Sequence, residues 1–210
     1  MCHKEMAPQN IKIIYFDARG RAEVSRLMLA AAGQKFEDVR HTKETWPTEK
    51  PNTPFGQLPV IEIDGKRFAQ SVAIANYVAR EFGFYGKTNL EGLEIDQVVQ
   101  LGMDFLSAAV KSYHEKDEAK KAELNKSLKE VEAPKYLAFF EKLLKESGTG
   151  YFVGEALTLA DFFVYDLTYA FGKRGVLSLD SYPLLQELQN KVESNEKIKA
   201  YLAERKETEN

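Results

Sequence analysis

The sequence predicts two domains of different class, an α+β domain over residues 9–86 and an all-α domain over residues 88–210. Short β-branched runs typical of strands alternate with helical runs in the first domain, in the order β-α-β-loop-β-β-α. The second domain is predicted by apolar residues that recur with helical periodicity to the end of the chain. Residues 1–8 lack the apolar centre of a secretory signal, and we predict that they form a disordered tail.

The first elements follow from local patterns. Residues 11–16 are β-branched and aromatic, which indicates a strand, and residues 21–33 form a helix that ends at a glycine. Residues 35–41 alternate between apolar and polar, as in a strand near the edge of a sheet. Residues 42–59 contain four prolines and the single tryptophan. We predict a long functional loop there, because long loops of this kind are usually either functional or disordered.

A hairpin follows the loop. Asp64-Gly65 is a dipeptide that a type I′ turn favours, because both of its residues need a positive φ. The turn joins strands at residues 60–63 and 66–69, and a helix begins near Ser71. Pro59 removes one backbone donor before the first strand, and a helix N-terminus attracts anions. These features favour a binding edge, and a plain hairpin followed by a capped helix is the alternative.

The order of elements defines the architecture of the first domain. A short crossover between the first two strands implies that they are parallel, and the hairpin adds antiparallel strands. This is the thioredoxin-like plan. A compact ferredoxin-like α+β unit is the alternative, but it needs a helix within residues 42–59, which the prolines disfavour.

The second domain is predicted to contain about five helices. The first covers residues 93–116, and the second reaches Glu146 with Pro134 inside it. This proline should kink or restart the second helix. Thr158 and Asp161 are spaced as a capping box, which predicts the start of the third helix. Two further helices complete the domain.

Composition excludes several functions. The formal net charge of −3 gives no basic field for nucleic acid, and no apolar run approaches the roughly 20 residues that a membrane helix needs. The only cysteine, Cys2, excludes an intrachain disulfide and a C-x-x-C redox pair, and the three histidines lack metal-ligand spacing. Phosphate-binding glycine motifs and G-x-S-x-G are absent. We therefore predict a cytoplasmic protein that needs no metal and binds neither nucleic acid nor membrane.

Five motifs occur in order along the first domain: Tyr15-Phe16-x-x-Arg19-Gly-Arg21-Ala-Glu23, Trp46-Pro47, Pro54-Phe-Gly-Gln-Leu-Pro59, Glu62-x-Asp64-Gly65 and Gln70-Ser71-x-Ala73-Ile74. Together they resemble the cytosolic glutathione transferases, and the likeness covers essentially residues 9–210. The arginine-rich run, with Leu93-Glu-Ile-Asp96 and Asp104-Phe105, is similar to the sigma class. The resemblance implies a homodimer that uses glutathione as co-substrate.

The resemblance also implies catalytic roles for two residues. Tyr15 would donate its hydroxyl to the glutathione sulfur, and Arg21 would support the pair electrostatically. The thiolate is the nucleophile, and a free thiol with a pKa near 8.5 is mostly protonated at pH 7. Lowering that pKa by about two units needs roughly 2.7 kcal/mol. One charge-assisted hydrogen bond supplies about 1.5–3 kcal/mol. Arg19 is expected to be a solvated turn residue.

Two segments of the long loop would bind the tripeptide according to the resemblance. Trp46 and Lys50 would hold the glycyl end, Lys50 through the carboxylate. Gln57 and Leu58 precede Pro59, which the family carries as a cis proline. The Leu58 backbone would then pair with the cysteinyl backbone of glutathione, which is strand addition in miniature.

The γ-glutamyl end would bind at the start of the helix after the hairpin. Gln70 and Ser71 match the clamp on its carboxylate. Asp104 matches the acid that reaches across a dimer interface toward the glutamyl ammonium of the neighbouring subunit. By position, the second-substrate pocket is expected to involve residues of both domains: Phe16, Arg21, Leu106, Val110 and Tyr113. The alternative is that these residues pack in a core.

Three functions remain open at this point. The first is conjugation of glutathione to small hydrophobic electrophiles for detoxification, with reduction of organic hydroperoxides as an additional activity. The second is a glutathione-dependent prostaglandin D isomerase, which the small residues of Ser107-Ala-Ala-Val-Lys111 disfavour, because those isomerases carry a bulky aromatic wall there. The third is a non-enzymatic ligand-binding or lens-structural member of the same fold.

Overall fold

The computed structural model of the chain describes residues 10–206 and 208, so the predicted tail at residues 1–8 lies outside the described residues. The contacts divide the chain into two units. The first unit contains the chain up to Phe84 and the segment from Glu196 onwards, and the second spans Tyr85–Asn195.

A four-stranded mixed sheet forms the centre of the first unit. Its strands are β1 (Ile11–Phe16), β2 (Glu37–His41), β3 (Val60–Ile63) and β4 (Lys66–Ala69), arranged in the order β2-β1-β3-β4. β1 and β2 are parallel, and β3 is antiparallel to both β1 and β4. The predicted thioredoxin-like plan is confirmed.

Two helices complete the plan, α1 (Glu23–Ala32) and α3 (Ser71–Glu81). Leu27, Met28 and Leu29 of α1 are fully buried, and the burial of each side chain contributes about 1.5–3 kcal/mol. A 3₁₀ turn over Gly20–Ala22 precedes α1. The helix ends as predicted at Gly33, which has a φ of 73° that L-residues rarely adopt.

The loop between β2 and β3 contains more regular structure than predicted. A single helical turn, α2 (Trp46–Glu49), is followed by a 3₁₀ turn over Lys50–Asn52. Pro47 and Pro51 each lie in the first turn of their segment, where the missing N–H would have no partner within the helix. Prolines therefore exclude a longer helix here but permit these short ones.

The hairpin turn and the bond before β3 both follow the sequence-based expectation. Asp64 has a φ of 48° and Gly65 a φ of 86°, so both central residues have the positive φ that a type I′ turn needs. The peptide bond between Leu58 and Pro59 is cis.

The second unit is helical, with α4 (Asn89–His114), α5 (Glu118–Ser127), α6 (Ala133–Ser147), α7 (Leu159–Lys173) and α8 (Pro183–Ser194). The predicted second helix divides into α5 and α6. A π-helical turn over Leu128–Glu132 separates them, and Pro134 is the second residue of α6. The restart at this proline is as predicted, because proline cannot continue the hydrogen-bond ladder of the preceding turn.

The predicted capping box at the start of α7 is confirmed. The Asp161 carboxylate accepts hydrogen bonds from the Thr158 N–H at 2.7 Å, from the Thr158 hydroxyl at 2.8 Å and from the Phe152 N–H at 2.9 Å. Asp161 is fully buried. One side chain therefore fixes both the helix start and the preceding loop.

The last helix, α9 (Glu196–Glu204), belongs to the first unit, whereas the sequence placed residues 88–210 in one helical domain. Its side chains give the reason. Ile198 is fully buried, and Tyr201 donates a hydrogen bond to Glu23 of α1 at 3.1 Å. Helical periodicity indicates which face of a helix is apolar, but it does not indicate which unit covers that face.

Candidate functional site

The strand register brings residues of three strands next to one another at one end of the sheet. Val60 is paired with β1 on one side and with β4 on the other. The next residues along these strands are Tyr15, Pro59 and Gln70, which therefore follow one another across β1, β3 and β4. The structure thus brings together three of the predicted site residues that are distant in sequence.

Tyr15 is oriented by a backbone hydrogen bond. Its hydroxyl oxygen accepts the N–H of Arg21 at 3.2 Å, and its side chain is half-buried. A tyrosine hydroxyl can accept one hydrogen bond while it donates another, so the Tyr15 proton is left for a ligand. The guanidinium carbon of Arg26 lies 5.9 Å from the centroid of the Tyr15 ring.

The observed contact of Arg21 differs from the electrostatic role that was expected for its side chain. The backbone N–H of Arg21 makes the hydrogen bond to Tyr15. Arg21 itself is an exposed residue. The electrostatic role of its guanidinium stays a prediction. The sequence motif identified the residue but not the atom that contacts the tyrosine.

Gly20 allows the turn to approach Tyr15. It has a φ of 45°, and a Cβ atom at this position would lie 2.6 Å from the Tyr15 hydroxyl oxygen. Any side chain here would displace the tyrosine or the turn. The sequence reasoning missed this contact, although the place of Gly20 between two arginines, shortly after β1, was a signal.

Arg19 is not the solvated turn residue that the sequence predicted. It is only 4% exposed, and its Nη1 lies 3.6 Å from a carboxylate oxygen of Glu23. Glu23 is fully buried, and a buried carboxylate needs cationic or hydrogen-bonding partners. The arginine is therefore drawn into the interior of the first unit.

The segment from Trp46 to Lys50 lies beside the end of β1. The ring of Trp46 packs edge-on against Phe16, with centroids 5.6 Å apart. Lys50 is exposed, and its stem passes Gly56, where an added Cβ atom would lie 3.5 Å from the lysine Cε. This loop therefore places an aromatic ring and an exposed cationic side chain near the segment that leads to Pro59.

Arg67 of β4 ties this loop to the hairpin. Its Nη1 donates to a carboxylate oxygen of Glu49 at 2.6 Å and to the backbone carbonyl of Asn52 at 3.1 Å. Its Nε donates to Glu62 at 2.8 Å, which holds the pKa of Glu62 below its usual value. The sequence reasoning did not identify Arg67. Its cross-strand pairing with Glu62 was the available signal.

The first backbone N–H groups of α3 lie next to Gln70. This residue is the N-cap of α3, has a φ of 76°, is exposed and makes no side-chain capping bond. Ser71 is half-buried and is the first helical residue. The first N–H groups of a helix carry partial positive charge, so this end can bind a carboxylate.

Four predicted residues lie on α4 of the second unit. Asp104 is exposed, Leu106 is half-buried, Val110 is 36% exposed and Tyr113 is 72% exposed. Core packing, the alternative for the last three, is therefore wrong for Val110 and Tyr113. The grouping of this face with Phe16 and Arg21 of the first unit stays a prediction.

Neither a metal site nor a membrane span was found in the described part of the chain. Within residues 10–206 and 208, no three His, Cys, Asp or Glu side chains are grouped so that they could hold a metal ion. No helix of that same part is both long and apolar enough to cross a membrane.

Comparison with protein families identifies the class of enzyme. The model of the glutathione S-transferase N-terminal domain matches residues 11–80, and the model of the C-terminal domain matches residues 103–205. A thioredoxin-like unit with a helical unit is the architecture that these two models describe together. The first matched range contains the whole sheet edge from Tyr15 to Ser71.

Individual relatives agree with the family models. The chain is 42% identical to "Probable glutathione S-transferase 7" of Caenorhabditis elegans over 197 residues, which is 92% of this chain and 96% of the relative. A Nu-class GST from Haemonchus contortus is 37% identical with a TM-score of 0.87, covering 96% of this chain and 99% of that chain. A prostaglandin synthase D of Nilaparvata lugens is 35% identical with a TM-score of 0.89, covering 95% and 100% respectively.

The chain therefore belongs to the glutathione S-transferase family, and it is an enzyme of that family. Glutathione is the co-substrate of the family.

Proposed function

We propose that this enzyme is a cytoplasmic sigma-class glutathione transferase that conjugates glutathione to small hydrophobic electrophiles and so acts in detoxification. The observation that carries the proposal is the hydrogen bond from the Arg21 N–H to the Tyr15 hydroxyl. That bond fills an acceptor position and directs the hydroxyl proton outward, where it can stabilise a thiolate. Reduction of organic hydroperoxides by the same thiolate is an additional proposed activity.

The binding mode that we propose assigns each end of glutathione to one feature of the edge. The γ-glutamyl carboxylate binds at the start of α3, at Gln70 and Ser71. The cysteinyl backbone pairs with Leu58, which with Gln57 precedes Pro59. The glycyl carboxylate binds Lys50 next to Trp46. This order places the sulfur beside Tyr15, because Tyr15 and Pro59 lie on adjacent strands in the register.

Retention on immobilised glutathione, followed by assays with aryl halides, hydroperoxides and prostaglandin H, tests the proposal. We expect retention, elution by free glutathione and turnover of at least one aryl halide. Failure to bind glutathione would contradict both the conjugation and the isomerase hypotheses.

Prostaglandin isomerisation is the second candidate function. It is supported by the likeness to the prostaglandin synthase D of Nilaparvata lugens, which is 35% identical to this chain. The stretch Ser107–Lys111 on α4 lacks a bulky aromatic residue. Conversion of prostaglandin H at a rate above that of the aryl halides would favour isomerisation over conjugation.

Replacement of Arg67 by methionine should raise the KM for glutathione several-fold and change kcat little. The variant loses three hydrogen bonds that hold Glu49, Asn52 and Glu62, so the loop that carries Lys50 loses its anchor. Loss of binding energy that the bound substrate and the transition state share raises KM without changing kcat. Steady-state kinetics with glutathione as the varied substrate provide the measurement.

The exposed residue Lys66 on the same strand supplies a matched control for this variant. Lys66→Met removes a positive charge from β4 without touching the loop and should keep the parental KM. An equal rise of KM in both variants would show that surface charge, rather than the anchor, determines the effect.

We also propose that the enzyme is a homodimer in which Asp104 serves the partner's glutathione site. The exposed position of Asp104 on α4 supports this role. Sedimentation at micromolar concentration should give about twice the 23.9 kDa chain mass. Asp104→Asn should raise the KM for glutathione while the sedimentation of the protein stays the same. Sedimentation of the parent as a single chain would contradict the role of Asp104.

A further inference from the structure

A buried carboxylate joins the last helix to α1. Glu23 is fully buried, and one of its oxygens accepts a hydrogen bond from the Arg26 Nη1 at 3.1 Å. Its other oxygen accepts one from the Tyr201 hydroxyl at 3.1 Å and lies 3.0 Å from the Nε of Arg205. Arg19 lies 3.6 Å from that same oxygen. Among the described residues, Tyr201 and Arg205 of the C-terminal segment are therefore two of the partners of this charge.

Arg26 connects the same carboxylate to the turn beside Tyr15. Its Nη1, which contacts Glu23, also donates to the carbonyl oxygen of Ala18 at 2.9 Å. Its Nε donates to Asp38 of β2 at 2.9 Å, and the side chain is fully buried. One guanidinium nitrogen thus links Glu23 to the first part of the turn that leads into α1.

That turn carries the group that orients the tyrosine. Between Ala18 and the Arg21 N–H lie only two residues, and one of them is Gly20, whose backbone approaches the Tyr15 ring closely. Hydrogen-bond strength falls steeply as donor and acceptor lose alignment. A small displacement of the turn would therefore weaken the bond from Arg21 to the Tyr15 hydroxyl.

Further charges surround this arrangement on β1, β2 and the C-terminal segment. Lys206 and, at 3.1 Å, Arg40 contact Asp17, and the hydrogen bond with Lys206 is the main reason why the pKa of Asp17 is lowered. Arg40 also contacts Asp38 at 2.8 Å. Burial, together with the nearby Glu23 charge, raises the pKa of Tyr201 well above its usual value, so its hydroxyl stays a proton donor.

We propose that Tyr201 and Arg205 are positioning residues for Tyr15. They fix the Glu23 carboxylate, Glu23 fixes Arg26, and Arg26 holds the turn whose Arg21 N–H orients the tyrosine hydroxyl. The last helix is thereby part of the apparatus that activates the thiol, although its residues do not touch the reacting atoms. The inference rests on the proposed function, because it concerns the tyrosine that stabilises the thiolate.

The test compares Tyr201→Phe, which removes one oxygen atom, and Arg205→Met with the control Lys199→Met. Lys199 is an exposed residue of α9. The readout is the ultraviolet absorbance of the bound glutathione thiolate as a function of pH. We expect Tyr201→Phe and Arg205→Met each to raise the apparent pKa of the bound thiol by about half a unit. They should also lower kcat about threefold at a pH below that pKa, with little change in KM. The control should behave as the parent.

Two further variants separate positioning from stability. Arg205→Lys keeps the positive charge and should recover part of the thiol pKa shift. In a Tyr15→Phe background, Tyr201→Phe should not shift the thiol pKa further, because its effect passes through Tyr15. A full additional shift in that background would overturn the proposal. So would variants whose only change is a lower midpoint of thermal unfolding.

The Tyr15→Phe variant also distinguishes this inference from the proposed function. If Tyr15→Phe leaves the thiol pKa unchanged, the proposed activation by Tyr15 fails, and this inference fails with it. If Tyr15→Phe raises the thiol pKa and the variants at residues 201 and 205 do not, only the positioning role is overturned.

Discussion

Replacement of Tyr15 by phenylalanine should lower kcat for glutathione conjugation by about two orders of magnitude. The variant loses the hydroxyl that accepts the Arg21 N–H at 3.2 Å. In the proposed mechanism this hydroxyl donates to the sulfur. The thiol of bound glutathione should then return toward its free pKa near 8.5, so little thiolate remains at pH 6.5. Glutathione binding should be nearly intact, because the contacts proposed for its two carboxylates are made by other residues. Steady-state kinetics with a model aryl halide measure the loss.

Tyr151→Phe serves as the control for this prediction. Tyr151 lies in the second unit, where its ring stacks with the Lys191 ammonium 4.6 Å away, and its hydroxyl has no part in the proposed chemistry. This variant should keep the parental kcat. Turnover of the aryl halide by Tyr15→Phe at the parental rate would show that another group activates the thiol.

Replacement of Asp161 by alanine should lower the free energy of unfolding by about 2–5 kcal/mol at pH 5. The change leaves the buried donors of Thr158 and Phe152 without their acceptor. Chemical denaturation at several pH values gives the measurement. Asp117→Ala is a matched control, because Asp117 caps α5 through one bond at an exposed site and should cost only about 1 kcal/mol.

The penalty of Asp161→Ala should also depend on pH. Burial raises the pKa of Asp161 to about 6, although the hydrogen bonds that it accepts oppose the shift. The folded protein therefore binds this proton more tightly than the unfolded chain does. The stabilising contribution is complete below the unfolded pKa near 4 and falls as the pH rises through about 6. The alanine penalty should accordingly be larger at pH 5 than at pH 8, and the opposite trend would contradict this assignment.

Local sequence patterns were sufficient to predict the strands of the sheet and most of the helix ends. The Asp64-Gly65 turn, the Gly33 cap and the capping box of Asp161 each depend on residues close together in sequence, whose backbone preferences are strong. The motif around Tyr15 similarly identified the residues at the end of β1. These features could be predicted because the interactions that determine them are short in range.

The supporting contacts could not be predicted from those patterns. Arg67 acts on Glu49 across 18 positions, and Tyr201 acts on Glu23 across 178. An exposed ion pair and a buried positioning contact have the same sequence signature, because both consist of ordinary charged residues. Burial, which decides between them, depends on the packing of distant segments. Arg19 was placed in solvent for this reason.

The contacts group α9 with the first unit, so the segment Tyr85–Asn195 lies in sequence between two stretches of chain that contact each other. A fragment that ended at Phe84 would contain the complete sheet but would deprive Glu23 of Tyr201 and Arg205 and would lack the buried Ile198. We therefore expect a shortened protein that contains the sheet to need the segment from Glu196 onwards, joined to Phe84 through a linker in place of the intervening helices.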